Sequence, residues 1–311
     1  MRTLICGSVA YDTVMVFQGR FADHILPDQV HILNVSFLVP EMKREYGGCA
    51  GNIAYSLKCL GGEPLPMATV GDDAGPYLER LDALGIDRRY ITQLPGTYTA
   101  QAFITTDLND NQLTAFHPGA MGQSHLNAVP DDAGVGLGII APDGRDGMQQ
   151  HAHQFDEQGI PFVFDLGQAM PLFNGEELLW FIDRASYVTL NDYEARVVVD
   201  RTRQSLQELA RRVKALVVTQ GAQGSDIYAD GTVLHIPVAD ARHVVDPIGC
   251  GDAYRGGLLY GIAHRLDWET TGRIAAVMGS IKIEASGAQN YMADRASIGE
   301  RFSQAFGYRP W

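Results

Sequence analysis

Short apolar runs alternate with stretches of helical periodicity along most of this chain, and this alternation limits the fold more than any other feature. The apolar runs stand at residues 4–7, 162–165, 187–190 and 215–219. Segments of helical spacing stand at residues 53–60, 206–213 and 258–262. The pattern predicts an α/β fold with a doubly wound, mostly parallel central sheet flanked by helices, and with ligand sites at the carboxyl ends of its strands.

Two segments break the alternation, at about 13–45 and about 96–118. In the second segment, every other residue is apolar or small, which is typical of hairpin strands: Ala100, Ala102, Ile104, Leu113 and Ala115. We expect both segments to form a small β-sheet lid that stands off the main sheet, within one domain spanning residues 1–311. The alternative is that they add edge strands to the core sheet.

The balance of charge restricts the partners of the chain, which has 311 residues and a formal net charge of −13. Nucleic acids and anionic membranes require a basic surface, so neither is expected as a partner. The first apolar run is too short for a signal peptide or a membrane span, and the cysteines form no CxxC pair. We therefore expect a cytoplasmic protein, either a monomer or a homodimer, with four free thiols: Cys6, Cys49, Cys59 and Cys250.

The strongest chemical signal is the stretch VVDPIGCGDAYRGG at residues 244–257. Glycines at 249 and 251 let backbone N–H groups point together at an anion, and the helix that begins there adds the positive end of its dipole. Asp252 would stay ionised beside that anion, where it can take a proton from a hydroxyl group. A lone G-x-G-D pattern would favour a plain helix N-cap, but the longer pattern reverses that preference.

The longer pattern resembles the signature D-T-x-G-A-G-D-x-F-x-x-G of the ribokinase-like family of carbohydrate and nucleoside kinases. The matching positions are Asp246, Gly249, Gly251, Asp252 and Gly257. The differing positions are Pro247 for Thr, Cys250 for Ala and Tyr254 for Phe. The resemblance implies phosphoryl transfer from ATP, with Asp252 as the catalytic base and an anion hole formed by Gly249, Cys250 and Gly251.

Two further stretches resemble family motifs that bind the phosphoryl acceptor. Gly47 and Gly48 match an N-terminal signature in which the glycines are a lid hinge, and Asn52 matches its contact to substrate hydroxyls. Asp12, after the first strand, resembles a carboxylate that accepts from two sugar hydroxyls. Apart from the resemblance, the glycines could be a simple turn and Asp12 a loop cap.

Two stretches that follow later strands resemble the motifs for the nucleotide and its metal. Asn191 and Glu194 resemble the N-x-x-E pair that acts through water on Mg²⁺, although an ordinary helix start has the same pattern. Residues 219–224 resemble the T-x-G-x-x-G loop at the nucleotide, and a glycine turn in a hairpin would look the same. The ATP contacts that the resemblance implies are Asn191, Thr219, Gly221, Gly224, Gly249 and Gly251.

The resemblance also implies a K⁺ site beside the anion hole. Family members form this site from backbone carbonyl groups, which here would come from the neighbourhood of Asp246, Ile248 and Gly287. Backbone ligands leave no trace in the side chains, so dependence on K⁺ remains open at this point.

The acceptor is inferred from aromatic side chains in the two lid segments. A nucleoside carries a flat base that aromatic faces can bind, whereas a free sugar needs polar partners all round. The lid segments supply Phe37, Tyr98, Phe103 and Phe116, with Gln101 as a partner for the edge of a base. The expected substrate-binding set is Asp12, Gly47, Gly48, Asn52, Gln101, Phe103 and Phe116. Packing of the aromatic side chains inside the lid would explain each of them almost as well.

The expected reaction is phosphorylation of the 5′-hydroxyl of adenosine or another purine nucleoside, because the chain looks most like bacterial adenosine and nucleoside kinases of the family. One alternative is a sugar kinase acting on ribose or fructose. Another is an inactive nucleotide-binding regulatory module, against which the intact turn at Asp252 argues.

Two further patterns receive no chemical role. The glycine run at residues 134–138 is expected to be a loop, because it precedes a strand. His151 and His153 are expected to be solvated side chains on a polar helix, since residues two apart on a helix diverge.

Overall fold

The computed structural model describes residues 1–25, 34–109, 111–131 and 134–311. Within these ranges, its large sheet contains nine strands. In chain order they are β1 (Arg2–Cys6), β4 (Glu63–Val70), β5 (Tyr90–Gln93), β8 (Val135–Ile140), β9 (Phe162–Asp165), β10 (Tyr187–Asn191), β11 (Ala215–Thr219), β12 (Ser225–Ala229) and β13 (Thr232–Ile236). Their order in space is β13-β12-β11-β10-β9-β8-β1-β4-β5. Pairing is parallel from β11 through to β5, and β12 and β13 pair antiparallel at one edge.

A smaller sheet stands apart from the large one. Its strands are β2 (Ala10–Val16), β3 (Glu41–Gly47), β6 (Ala100–Thr106) and β7 (Gln112–His117), in the spatial order β3-β2-β6-β7. The two segments that break the alternation supply these strands, although β2 begins at Ala10, ahead of the expected boundary at about 13. The predicted separate sheet is therefore confirmed, and the alternative of extra core edge strands is wrong. Its action as a lid stays a prediction, as does the single domain over residues 1–311.

Helices cover both faces of the large sheet. They are α1 (Cys49–Cys59), α2 (Gly75–Ala83), α3 (Arg145–Glu157), α4 (Gly175–Arg184), α5 (Asp192–Thr202), α6 (Leu206–Ala210), α7 (Cys250–Ala263), α8 (Trp268–Ile283) and α9 (Arg295–Phe306). In β1, Leu4 and Cys6 join a buried cluster with Phe181 of α4, whereas Ile5 joins a second cluster with Ile53 of α1. Successive side chains of a strand point to opposite faces, so both faces of the sheet are buried. The predicted doubly wound fold is confirmed.

Two glycines let α7 approach its neighbours closely. A Cβ atom on Gly256 would lie 2.5 Å from the Cβ of Ser56 on α1, and one on Gly257 would lie 2.5 Å from the Cα of Ala275 on α8. Since any side chain would clash, only glycine permits this packing. The Arg255 side chain, between these glycines and the helix start, reaches Asp165 at the carboxyl end of β9. The start of α7 is thereby fixed at the carboxyl edge of the sheet.

Two expectations about local structure are wrong. Gly136 and Gly138 of the glycine run lie in strand β8, and only Gly134 precedes that strand. A Cβ on Gly138 would be 2.4 Å from the ring of Phe155, so glycine is needed there to seat that ring. His151 is buried, with Nε2 3.1 Å from the backbone oxygen of Asn127, and burial lowers its pKa to about 4. His153 is exposed beside Glu157, as expected. In the described ranges, no helix is both long and apolar enough to cross a membrane.

Candidate active site

The first turn of α7 presents free backbone donors. Gly249 caps the helix with a φ of 80°, and a Cβ there would lie 2.7 Å from the Cβ of Ala288, so glycine is required at this position. Among the described residues, the N–H groups of Gly251 and Asp252 have no hydrogen-bond partner, as the first turn of a helix leaves them. Free N–H groups and the positive end of the helix dipole make this turn suited to an anion.

Asp252 lies within this first turn and is half-buried. Its Oδ2 accepts a hydrogen bond of 2.8 Å from Nδ2 of Asn52 on α1. Burial raises the pKa of Asp252 to about 6, against the opposing effects of the Asn52 hydrogen bond and the positive charge of Arg255. The carboxyl group is therefore mostly ionised at neutral pH but is a stronger base than an exposed Asp, which suits it to accept a proton.

A buried ion pair supports Asp252 from one turn further along α7. Arg255 donates to the Asp165 carboxylate through both Nε and Nη2, with 2.7 Å between Nη2 and Oδ1, and its Nη1 donates to the Gly251 oxygen at 3.0 Å. Both side chains are almost completely buried. A bidentate pair of this kind fixes geometry as well as charge. The sequence interpretation did not identify either residue.

Asp12 and the two glycines meet at the end of the small sheet. A Cβ on Gly47 would lie 2.4 Å from Oδ2 of Asp12, and one on Gly48, which has a φ of 83°, would lie 2.6 Å from the Ser8 oxygen. Neither position can hold a larger residue without movement. Burial, and then the neighbouring charge of Glu45, raises the pKa of Asp12 to about 6. Its charge also contributes to the raised pKa of Asp252, so the two carboxyl groups lie near enough to interact electrostatically.

A chain of hydrogen bonds joins Asp252 to the glycines. The Nε2 atom of Gln289 donates to Oδ1 of Asn52 at 2.9 Å and to the Tyr77 hydroxyl at 2.6 Å. The Tyr77 hydroxyl in turn donates to the Gly47 oxygen at 2.7 Å. All three side chains are buried. Asn52 is thus held in place from both sides, and Gln289 and Tyr77 are further site residues that the sequence interpretation missed.

The small sheet divides the predicted acceptor residues between its two faces. Asp12 pairs with Ala102, and Ala102 pairs with Phe116, so the side chains of Asp12 and Phe116 share one face. Gln101 and Phe103 alternate with Ala102 and point to the other face. The structure therefore does not bring Gln101 and Phe103 to Asp12, and the expectation of one shared site for them is wrong.

Gln101 and Phe103 instead line a separate pocket of about 470 Å³ on their own face, together with Tyr98. Phe37 lies outside the strands of the small sheet. Its ring packs 4.8 Å from that of Phe17 and 5.0 Å from that of Phe21, within the chain that links β2 to β3. Of the four aromatic candidates, Phe116 alone lies on the face of Asp12, and its side chain is 53% exposed.

The Asn191 and Glu194 pair lies at the carboxyl end of β10, where α5 begins. Asn191 Oδ1 accepts from the Glu194 N–H at 2.8 Å, and the Glu194 carboxylate accepts from both the backbone and the side chain of Asn191. This is a capping box, so the pair does form an ordinary helix start, the alternative given for this pattern. Burial, and then the nearby charge of Asp165, raises the pKa of Glu194.

A role for this pair with Mg²⁺, acting through water, stays a prediction. Among the described residues, no group of three or more His, Cys, Asp or Glu side chains could hold a metal ion. Each Glu194 oxygen that accepts from Asn191 keeps a second lone pair, which can accept from a water molecule on the metal. The residues therefore fit an ion that is held by water and by the phosphates of a nucleotide.

The loop after β11 is a tight hairpin connection. Thr219 ends β11, Gly221 has a φ of 56°, and Gly224 has a φ of 92°. A Cβ on Gly224 would lie 2.2 Å from the Ile236 oxygen, so its glycine is required by the backbone. Thr219 stands in register with Asn191, which places the loop beside the candidate Mg²⁺ residues. Contact of this loop with ATP stays a prediction.

The structure does bring together the three residues of the expected K⁺ site, Asp246, Ile248 and Gly287. The contacts between them, however, are hydrogen bonds that backbone N–H groups donate. The Asp246 carboxylate accepts from the Ile248 N–H at 2.9 Å and from the Gly287 N–H at 2.8 Å. The Asp246 carbonyl accepts from Nζ of Lys282 at 2.6 Å. A K⁺ ion needs oxygen ligands. The ammonium group of Lys282 takes the backbone oxygen at the expected place, so these residues do not fit a bound K⁺.

Cys250, the first residue of α7, is half-buried and belongs to the predicted anion hole. Burial raises the pKa of its thiol to about 11, although the charge of Lys282 opposes the shift. Its N–H donates to the Pro247 oxygen at 3.1 Å. The thiol is therefore neutral, and Cys250 contributes to the turn through its backbone. The four cysteines are free, as predicted.

A doubly wound sheet, a helix start with free N–H groups and an adjacent carboxylate are the features expected of a phosphotransferase of the ribokinase-like class. Residues 9–295 match the model of the pfkB family carbohydrate kinases, and the chain belongs to that family. It is similar to a nucleoside kinase from Methanocaldococcus jannaschii, with 30% identity over 276 residues that span 87% of this chain and 90% of the relative.

Solved structures extend the comparison. A nucleoside kinase from Burkholderia thailandensis in complex with inosine is 54% identical to this chain, with a TM-score of 0.90 and 99% of each chain covered. The same enzyme in complex with ADP-inosine is 56% identical, with a TM-score of 0.88, 99% of this chain and 97% of that chain covered. The ribokinase-like fold and the ATP-dependent kinase class expected from the sequence are thereby confirmed.

Proposed function

We propose that this chain transfers the terminal phosphoryl group of ATP to the 5′-hydroxyl of a nucleoside, with a purine nucleoside as the preferred acceptor. The observation that carries the proposal is the position of Asp252, a carboxyl group with a raised pKa beside the free N–H groups of α7. The solved relative at 54% identity binds inosine, and this supports a nucleoside as the acceptor here.

In the proposed reaction, the terminal phosphoryl group lies at the Gly249–Asp252 turn. Asp252 takes the proton of the acceptor hydroxyl, whose oxygen then forms a bond to phosphorus. The bond from that phosphorus to the oxygen bridging the two outer phosphates breaks, and ADP leaves with the electron pair. The free N–H groups stabilise the charge on the transferring group, and they are placed before the reaction begins.

The acceptor is proposed to bind on the Asp12 face of the small sheet. Asp12 accepts from two ribose hydroxyls, Asn52 contributes a side-chain amide held by Gln289, and Phe116 offers its ring to the base. Gln101 and Phe103 are excluded from this proposal because they lie on the opposite face. Closure of the small sheet over the acceptor, with Gly47 and Gly48 as the hinge, would exclude water from the reaction.

The nucleotide and its metal are proposed to lie at the carboxyl ends of β10 and β11. Thr219, Gly221 and Gly224 line the nucleotide, and Asn191 and Glu194 act through water on Mg²⁺. When bound, Mg²⁺ neutralises charge on the phosphates. The cytoplasmic location and the choice between monomer and homodimer stay predictions.

An ATP-consumption assay separates this function from its alternatives. The acceptors to compare are adenosine, inosine, guanosine, cytidine, ribose and fructose. We expect kcat/KM to be highest for a purine nucleoside and lower by at least about tenfold for either sugar. Equal or faster phosphorylation of ribose or fructose would make the chain a sugar kinase. No ATP consumption with any acceptor would indicate the regulatory alternative.

Asp294→Asn is the matched control for Asp252→Asn in this assay. Asp294 caps α9 by accepting from the Ser297 N–H at 2.8 Å, which is the plain N-cap role that Asp252 could have had. We expect the Asp294 variant to keep the wild-type rate and the Asp252 variant to lose it. Similar rates in both variants would reduce Asp252 to a structural residue.

A further inference from the structure

Lys282 is a completely buried lysine beside the proposed anion-binding turn. It lies in the last turn of α8 and has no exposed surface. Its Nζ donates to the Asp246 oxygen at 2.6 Å and to the Ala285 oxygen at 3.1 Å, and lies 3.6 Å from the Asp246 carboxylate. Burial of an ammonium group is costly unless it is paired, and here oxygens of two chain segments surround it.

A lysine near a helix C-terminus often binds the last carbonyl groups of that helix, which would make Lys282 a purely structural residue. The Ala285 contact fits that role. The Asp246 contacts do not, because Asp246 belongs to the segment that leads into α7. A simple capping lysine occurs elsewhere in the chain: Lys58, in the last turn of α1, is exposed and donates to the Gly85 oxygen at 2.7 Å.

The oxygens around Lys282 are those that a monovalent cation would need. They are two backbone carbonyl oxygens and, slightly further away, a carboxylate oxygen. The remaining contacts of that carboxylate come from the N–H groups of Ile248 and Gly287, which cannot bind a cation. The space that the family resemblance assigns to K⁺ is therefore taken by a covalently attached ammonium group.

We propose that the Lys282 ammonium group is a built-in monovalent cation for the anion-binding turn, so that catalysis needs no K⁺ or Na⁺. This inference rests on the proposed phosphoryl transfer. Lys282 fixes the Asp246 carbonyl while the Asp246 carboxylate holds the Ile248 N–H, two residues before Cys250. Lys282 is thus a positioning residue for the Gly251 and Asp252 donors, and it brings a covalently attached ammonium group close to them.

The first test uses the wild-type protein alone. Phosphorylation of inosine is measured with tetramethylammonium as the only monovalent cation, with ATP supplied as its tetramethylammonium salt and Mg²⁺ present. K⁺, Na⁺ or NH₄⁺ is then added to about 0.1 M at constant ionic strength, since surface electrostatics depend on salt. We expect kcat to change by less than about twofold. Stimulation by K⁺ of about tenfold or more would overturn the inference.

The same series distinguishes failure of the inference from failure of the proposed function. Activity that appears only with K⁺ would refute the built-in cation and leave nucleoside phosphorylation intact. Absence of activity in every salt and with every acceptor would refute the proposed function itself.

The second test removes the ammonium group and keeps most of the apolar part of the side chain. We expect Lys282→Met to lower kcat by at least about tenfold, with the KM for inosine within about threefold, because loss of turn geometry acts on the transition state. NH₄⁺ or K⁺ should restore part of kcat by entering the space left by Nζ. Lys58→Met is the matched control and should keep wild-type kcat without responding to either cation.

A purely structural lysine would behave differently. Its loss would lower the melting temperature without cation rescue of kcat, and a folded Lys282→Met variant with wild-type kcat would also refute the inference. Circular dichroism establishes whether the variant is folded. If it is not, the salt series on the wild-type protein still decides the question.

Discussion

The two carboxyl groups with a raised pKa make a quantitative prediction about how activity depends on pH. Burial raises the pKa of both Asp12 and Asp252 to about 6. The proposed mechanism needs both as carboxylates, one to accept from the ribose hydroxyls and one to accept the proton. Activity should therefore be present above pH 6 and should fall as the pH is lowered through 6 and both groups become protonated.

The size of the fall follows from the two pKa values. At pH 5 a group with a pKa of about 6 is ionised in roughly 9% of molecules, so both Asp12 and Asp252 are ionised together in about 1%. We expect kcat/KM at pH 5 to be about a hundredth of its plateau value. In a plot of log(kcat/KM) against pH, the limiting slope at low pH should be two. The plot of kcat should have a slope of one, since bound ribose holds Asp12 ionised and Asp252 alone still titrates.

The assay is steady-state phosphorylation of inosine between about pH 5 and pH 8, with protein stability checked at each pH. Asp252→Asn removes one of the titrating groups. We expect kcat of the variant to fall by about 10² to 10⁴, the usual contribution of a positioned base, and the limiting slope of kcat/KM to fall from two to one. A profile that stays flat down to pH 5, or a variant with the wild-type slope, would refute the reasoning.

Four substitutions test the surrounding residues. Asp12→Ala should raise the KM for inosine by at least about tenfold, since two hydroxyl contacts are lost, and an unchanged KM would remove Asp12 from the site. Glu194→Gln should raise the Mg²⁺ concentration needed for half-maximal rate more than the nucleoside KM; an unchanged Mg²⁺ titration would leave the pair as a capping box. Phe116→Ala should lower kcat/KM for nucleosides by a factor equivalent to about 1–3 kcal/mol, while kcat/KM for ribose should hardly change. Equal losses of kcat/KM for both acceptors would make Phe116 a packing residue. Asp165→Asn should lower the free energy of unfolding by about 3–5 kcal/mol in urea titrations, because it leaves buried Arg255 unpaired, and a stable variant would contradict that account.

The chemistry of the α7 turn could be predicted from the sequence because its parts are contiguous. Residues 246–252 supply the glycine conformations, the helix start and the carboxylate within one short stretch. The strands could be predicted for a similar reason, since the runs at 162–165 and 215–219 coincide with β9 and β11. In each case a local pattern contains the physical cause of the structure.

Contacts between distant segments could not be predicted in this way. Arg255 and Asp165 are separated by 90 residues in the chain, and Asn52 and Gln289 by 237. A signal for the Arg255 contact, and for that of Lys282 with Asp246, was nevertheless present, because Arg255 and Lys282 each interrupt an otherwise apolar helical stretch. A charged residue at such a position implies a buried partner.

The small sheet shows a second limit on what can be predicted from the sequence. Alternation along β6 separates Gln101 and Phe103 from Ala102, and this could be read from the sequence. Which of the two faces carries Asp12 depends on the register between β2 and β6, which local patterns do not specify. Composition alone therefore groups these aromatic residues together, although the sheet separates them.

The neutral thiol of Cys250 has a practical consequence for handling this protein. A cysteine at a helix N-terminus normally becomes more acidic and reacts readily with alkylating reagents. With a pKa of about 11, Cys250 is a thiolate in only about one molecule in ten thousand at pH 7. Iodoacetamide should therefore modify it slowly, and exposure to air during purification should spare the turn. A reactive cysteine introduced elsewhere could then carry a fluorescent label without modification of the α7 turn.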